Sequence, residues 1–178
     1  MNLTIHNAII FAAQKHAKQV RKGTDILYIT HPMEVMQILT AAQCAEDVII
    51  AGILHDTLED TETDAVDILN LFGHKVLGIV RAESEDKSKT WKERKQAAIN
   101  RLADDSFEAK LVCCADKLSN IRSMYADKQT AGESLWNRFN AGKSEIKWYY
   151  QSIAEKLEMA LSEYDMYKEF AELIDLVF

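Results

Sequence analysis

The sequence predicts an all-α protein, a single domain of about eight to ten helices. Three observations predict it. The chain has 178 residues, enough for one domain with a sizeable core. It contains 6 Gly and only 1 Pro, too few turn formers for an all-β sandwich. Apolar residues recur at helical spacing in one segment after another.

Residues 2–18 carry Ile5, Ile9, Ala12, Ala13 and Ala17 at helical spacing. His6 and His16 lie in this helix without companion ligands and receive no site assignment. Gly23 and Asp25 mark a turn. Pro32 fits the first turn of the next helix, where its missing N–H costs little, so His31 stands at a helix start. That helix runs over 32–42. Glu46 and Asp47 open another, with acids at the positive end of its dipole. From Val48 to Leu54 it is apolar nearly all round, which makes it the central helix. Gly52 costs this helix about 1 kcal/mol, so close packing is its expected reason.

Further helices are expected over 64–72, ended by Gly73, and over 75–82. His74, at the junction, reads as a capping or surface residue. The heavily charged stretch 83–95 reads as a solvated loop and helix start. Helices follow over 91–103 and 107–122, then a polar connection over 127–132. Residues 133–164 read as one long helix broken near Gly142, with Trp136, Phe139, Trp148, Tyr149 and Tyr150 in the core. The polar stretch 137–143 is expected to face a pocket. A last helix over 166–177 buries Phe170, Leu173, Ile174 and Val177.

The net charge of −7 disfavours non-specific nucleic-acid binding, which needs a basic surface. It leaves room for a small basic pocket that takes a phosphorylated metabolite. The three Cys form no disulfide framework and no C-x-x-C motif. No apolar run reaches about 18 residues, and the N-terminus does not read as a signal peptide. The expectation is a cytoplasmic protein with reduced thiols, without membrane or nucleic-acid partners. The sequence leaves a homo-oligomer open. No Gly-rich phosphate loop of the G-x-x-x-x-G-K-S/T type is present.

The segment from Ile49 to Thr61 concentrates the chemistry. An apolar run ends in His55, Asp56, Glu59 and Asp60. Burying such groups is costly unless they are paired or bound to a metal. If the helix continues, the pairs His55/Glu59 and Asp56/Asp60 each share one side. If it ends near Asp56, the four side chains converge from a helix end and its following turn. Both arrangements suit a metal ion with a water beside it. In 107–122 the apolar face is interrupted by Asp116, with Asn120 one turn later on the same side.

Leu54-His55-Asp56-Thr57-Leu58-Glu59-Asp60-Thr61 resembles the signature of the HD superfamily of metal-dependent phosphohydrolases. It is most similar to the hydrolase domain of the RelA/SpoT family, which degrades the alarmones ppGpp and pppGpp. Two further strings match that family in order. One is Arg21-Lys22, Gly23 and Tyr28-Ile29-Thr30-His31-Pro32; the other is Ala115-Asp116-Lys117-Leu118-Ser119-Asn120-Ile121-Arg122. The resemblance spans roughly residues 8–122, with the helices over 133–178 taken as part of the same domain. The family often carries Thr-Asp near Ser84-Glu85, where this chain departs.

The resemblance implies His31, His55, Asp56 and Asp116 as metal ligands. Two imidazoles and two carboxylates suit a six-coordinate ion better than a thiolate zinc site. Mn²⁺ is the family's choice, with Fe²⁺ or another divalent ion as alternatives. Glu59 and Asp60 are then available to position or deprotonate the attacking water. Arg21, Lys22 and Asn120 are implied as nucleotide contacts, and Lys117 as a phosphate neighbour. The expected reaction is hydrolysis of the 3′-pyrophosphate of ppGpp or pppGpp, without synthetase activity. Three alternatives stay open. One is a phosphatase on NADPH or another 2′- or 3′-phosphorylated nucleotide. The second is a catalytically silent nucleotide-binding module. The third is a di-iron HD-type oxygenase, which needs more histidines than His31, His55 and His74.

Overall fold

A computed structural model describes residues 4–178. Among them are nine α-helices and one 3-10 helix. The β features amount to an isolated antiparallel bridge between Val20 and Leu27. The helices are α1 (Thr4–Lys15), α2 (Thr30–Ala41), α3 (Glu46–Leu54), α4 (Thr57–Asp60) and α5 (Ala65–Glu83). They continue as α6 (Trp91–Arg101), α7 (Phe107–Ala131), α8 (Lys143–Leu161) and α9 (Asp165–Val177). The 3-10 helix, Gly132–Arg138, lies between α7 and α8. The expected all-α class is therefore found. The expected helix start at Asn2 lies outside the described residues.

The contacts divide the chain into two compact units. The first comprises residues 1–84 and 106–116, the second 85–105 and 117–178. In the first, α3 is the central helix, packed against α1, α2 and α5. Every residue from Val48 to Leu54 is buried, as the all-round apolar pattern requires. Gly52 has a steric reason: a Cβ there would lie 2.4 Å from Leu39 Cδ1 and 3.1 Å from Val35 Cγ1. The glycine lets α2 and α3 approach closely at the C-terminal end of α3, next to His55. Burying Val35, Leu39, Ile50, Ile53 and Leu54 contributes about 1.5–3 kcal/mol per side chain before chain entropy is subtracted.

The helices anticipated over 64–72 and 75–82 are the two halves of α5, and Gly73 parts them with φ +86° and ψ 174°, outside the helical region and closed to most side chains. Two expected boundaries differ. The chain makes an extra helical turn, α4, before α5 begins. Finally, α7 runs on through 123–131, which was expected to end as a polar connection. The polar residues there are engaged along the helix. Arg138 Nη1 donates to Asp127 Oδ2 at 2.8 Å, and Lys128 Nζ donates to the Val177 carbonyl at 2.8 Å.

In the second unit α8 packs against α9 and α6. Phe170 is fully buried beside Tyr150, and Trp136 stacks on Phe178 at 5.2 Å. Tyr167 Oη donates to the Ala154 carbonyl at 3.1 Å, which joins α9 to α8. The break near Gly142 is real, since the 3-10 helix ends at Arg138 and α8 starts at Lys143. The charged stretch 83–95 is more structured than a solvated loop. Glu85 receives Arg94 at 3.2 Å and Lys95 at 2.7 Å, and Thr90 with Glu93 forms a capping box at the start of α6. Trp148 is not a core residue. It is half-buried and, with Trp91, lines a cleft of about 320 Å³.

Candidate metal centre

Three segments of the first unit supply the candidate ligands. His31 is the second residue of α2, followed by Pro32 in the first turn, as the sequence implies. α3 ends at Leu54, so His55 and Asp56 occupy the corner between α3 and α4. The helix, whose course was left open above, ends before Asp56, and His55 and Asp56 lie together at this corner. Asp116 comes from α7, a polar residue on an otherwise buried stretch.

These residues meet. His31 Nε2 lies 3.1 Å from Asp116 Oδ1 and 3.6 Å from Asp56 Oδ2. His55 Nε2 lies 2.9 Å from Asp56 Oδ2 and 3.7 Å from Asp116 Oδ1. His31, His55 and Asp116 offer ligand atoms all within 4.8 Å of one another. Donors about 2.1 Å from one ion are separated by about 3 Å when adjacent and about 4 Å when opposed. The observed separations fall in that interval.

Burial and hydrogen bonding support the same reading. His31 is 2% exposed, His55 1% and Asp116 6%. His55 Nδ1 donates to the Gly52 carbonyl at 2.8 Å, so Nε2 is the ring nitrogen turned toward the carboxylates. That Nε2 is buried and makes no aligned hydrogen bond, although Asp56 is near. An orphaned imidazole nitrogen facing two carboxylates fits a cation as its missing partner. The donor set fits a divalent ion that takes nitrogen and oxygen ligands.

The electrostatics of the ion-free site follow from burial and pairing. Burial depresses His31, and Asp116 offsets this only in part, so its pKa stays below the usual histidine value. Burial also depresses His55, but Asp56 and Asp116 outweigh it and hold its pKa well above that value. Asp56 is pushed up by burial, yet His55 and His31 prevail and keep it well below the carboxylate range. Tyr28 donates its hydroxyl to Asp56 Oδ2. Burial first, and Asp56 second, push the Tyr28 phenol far up, so it stays a proton donor.

Glu59 and Asp60 sit half-buried on the single turn α4, immediately after the His55-Asp56 corner. Gln19 Nε2 donates to the Asp60 main-chain carbonyl at 2.5 Å. Arg21 is half-buried, with its guanidinium 5.8 Å from the centre of the Tyr28 ring, beside the tyrosine that holds Asp56. Lys22 is exposed. Lys117 and Asn120 belong to the second unit, where Lys117 Nζ lies 5.7 Å from the Tyr149 ring and Asn120 is half-buried. His74 is exposed on α5, so among the described residues the cluster holds two histidines. That is fewer than the di-iron alternative needs. In the stretch 137–143, Arg138 and Lys143 are spent on ion pairs with Asp127 and Glu133.

His16, given no site assignment from the sequence, lies near Tyr28. It is 2% exposed, its Nδ1 bonds Gln19 Oε1, and its ring lies 4.9 Å from that of Tyr28. The one signal in the sequence was its spacing of three residues from Gln19, which ordinary helical segments share.

An all-α fold in which helix ends and one helix interior bring two histidines and two aspartates together defines a divalent-metal protein of the histidine–aspartate type. Residues 8–159 match the HD domain family, and the chain belongs to that family. A Drosophila melanogaster relative named guanosine-3′,5′-bis(diphosphate) 3′-pyrophosphohydrolase MESH1 is 40% identical over 123 residues, 67% of this chain and 69% of its own. The Homo sapiens protein of that name is 39% identical over 117 residues, 64% of this chain and 65% of its own. A solved structure, that of a metazoan ortholog of SpoT described as hydrolysing ppGpp, superposes with a TM-score of 0.82 at 29% identity. It covers 98% of this chain and 96% of that one.

Proposed function

We propose that the protein hydrolyses the 3′-pyrophosphate of ppGpp and pppGpp, giving GDP or GTP and pyrophosphate. One observation carries the reading: a chain 40% identical over 123 residues to a named ppGpp 3′-pyrophosphohydrolase brings His31, His55 and two aspartates close together. The activity is ascribed to residues 1–178 as one catalytic domain, since the family match over residues 8–159 runs through both compact units.

His31, His55, Asp56 and Asp116 would hold the ion. Mn²⁺ suits two imidazoles and two carboxylates with no thiolate, and Fe²⁺ is its nearest competitor. When bound, a divalent ion supplies charge that polarises a phosphoryl oxygen and lowers the pKa of water. Glu59 and Asp60, one turn beyond the ligands, take the proton from the attacking water. The water oxygen bonds to the phosphorus carried on the 3′-oxygen. The P–O3′ bond breaks, and the 3′-oxygen leaves with a proton as the nucleoside hydroxyl. Arg21 and Lys22 bind phosphate oxygens, with Lys117 as a second phosphate contact and Asn120 as a hydrogen-bond partner of the nucleotide. The site works in the cytosol, where nucleotides are at hand and Cys113 and Cys114 remain buried free thiols.

The test is a panel of ppGpp, ppApp and NADPH incubated with Mn²⁺-loaded protein, the products identified by mass. GDP and pyrophosphate from ppGpp are expected. Release of single phosphate from NADPH with ppGpp untouched replaces this reading by a nucleotide phosphatase. Tight nucleotide binding without turnover replaces it by a regulatory module.

A further inference from the structure

His16 directly follows α1, with its main-chain N–H bonded to the Ala12 carbonyl at 2.9 Å. Its side chain makes two kinds of contact. The first runs through Gln19. Gln19 Nε2 donates to the Asp60 carbonyl, so the amide nitrogen faces Asp60 and its oxygen faces His16. An amide oxygen only accepts, so His16 Nδ1 carries the proton. The second contact is the ring face, tilted 37° against Tyr28 at 4.9 Å. Tyr28 in turn donates its hydroxyl to Asp56 and its main-chain N–H to the Gln19 carbonyl.

That assignment leaves His16 Nε2 as the ring nitrogen turned away from Gln19. It is buried and has no hydrogen-bond partner among the described residues. An unpaired buried polar atom is costly, and an apolar side chain would pack the same space without one. The imidazole is thus a poor choice for packing alone. Its value lies at Nδ1 and on its ring face, and both lead to acidic residues of the site.

We propose that His16 is a positioning residue for two carboxylates, Asp60 through Gln19 and Asp56 through Tyr28. Removing the imidazole frees the Gln19 amide to turn, which releases the main chain at the end of α4. It also withdraws the surface against which Tyr28 holds Asp56. The inference rests on the roles given above to Asp56 as a ligand and Asp60 as a proton acceptor.

The experiment combines Mn²⁺ titration with steady-state kinetics on ppGpp for His16→Leu, His16→Asn, His16→Gln and Gln19→Leu. Asparagine sets an N–H near the Nδ1 position, whereas glutamine reaches toward Nε2. His16→Leu and His16→Gln should weaken Mn²⁺ binding by about 10-fold or more, in the range of outer-shell substitutions. Their kcat should fall with little change in KM. His16→Asn should recover much of kcat through its N–H to Gln19, while its Mn²⁺ affinity, which rests on the lost ring face, stays as weak as that of His16→Gln. Gln19→Leu should lower kcat while its Mn²⁺ dissociation constant stays within about twofold of wild type, because Gln19 reaches Asp60 and not a ligand. Circular dichroism and thermal midpoints establish that each variant is folded. If His16→Leu does not fold, the Asn and Gln pair decides the matter.

Wild-type Mn²⁺ affinity and kcat in folded His16→Gln overturn the proposal. So does an Asn variant whose kcat is no better than that of Gln. Should the wild type leave ppGpp intact, the proposed reaction fails, while the Mn²⁺ titrations still decide whether His16 positions Asp56.

Discussion

His55 Nδ1 donates to the carbonyl of Gly52 at 2.8 Å, so the residue that lets α3 pack closely also orients the imidazole proposed as a metal ligand. The carbonyl can only accept, which fixes the tautomer and frees Nε2 for the ion. Packing and chemistry are therefore coupled through one residue. Gly52→Ala tests the coupling. The new methyl group gains about 1 kcal/mol of helix propensity. It must displace Leu39 Cδ1 and crowd Val35, both side chains fully buried, and such overpacking costs about 1–3 kcal/mol. The expected outcome is a net loss of stability with weaker Mn²⁺ binding. Denaturant melts with an unchanged m-value, alongside a metal titration, measure both.

Metal binding should release about one proton near pH 7. In the ion-free protein His55 is held protonated by Asp56 and Asp116, while His31 is already neutral through burial. Asp56 is already ionised. The signs for stability follow. His55, raised, contributes stability that is full below about pH 6.5 and lost as pH rises through its folded pKa. His31, lowered, removes stability as pH falls below about 6.5. Asp56, lowered, contributes above about pH 4 and loses that contribution as pH falls through its folded pKa. Mn²⁺ affinity should rise with pH above about 6.5. Calorimetry in buffers of different ionisation heat counts the protons, and a count of zero contradicts a charged His55.

Much of this centre was legible in the sequence. The run from Val48 to Leu54 had to be interior, and polar groups ending such a run needed a partner. The order of the His31, His55-Asp56 and Asp116 segments pointed to one site. What stayed illegible was tertiary. No periodicity signals a one-turn helix such as α4, because four residues cannot display a 3.6-residue period. His16 and Tyr28 become neighbours only when the turn after α1 folds back through the Val20–Leu27 bridge. The length of α7 was underestimated because a run of polar residues reads the same whether it is a loop or a solvated helical face.

Arg21→Ala should raise KM for ppGpp with a smaller change in kcat, since lost uniform binding shows in KM. The guanidinium stands beside Tyr28 on a chain of net charge −7, so a cation there is a local exception. Arg21→Lys keeps the charge but loses the planar fork, and should recover only part of the affinity. Increasing salt should reproduce the trend by screening the phosphate contact. Unchanged KM in Arg21→Ala removes this residue from the substrate contacts.

Glu59→Gln and Asp60→Asn should separate proton handling from metal binding. Both carboxylates stand on α4, one turn after His55 and Asp56, and neither comes within ion-pair distance of His31 or His55 among the described residues. The amides keep shape and most hydrogen-bond geometry but cannot accept a proton at neutral pH. General acid–base assistance contributes about 10²–10⁴-fold in rate, so each variant should lose turnover within that range. Bound Mn²⁺ and KM should stay near wild type, because the four ligands are intact. Metal analysis after gel filtration distinguishes the cases. A variant that loses Mn²⁺ has lost a ligand, and its residue joins the coordination set. A variant that keeps both Mn²⁺ and full turnover leaves the other carboxylate as the base. If both keep full turnover, the proton goes elsewhere and α4 serves only to shape the corner behind His55.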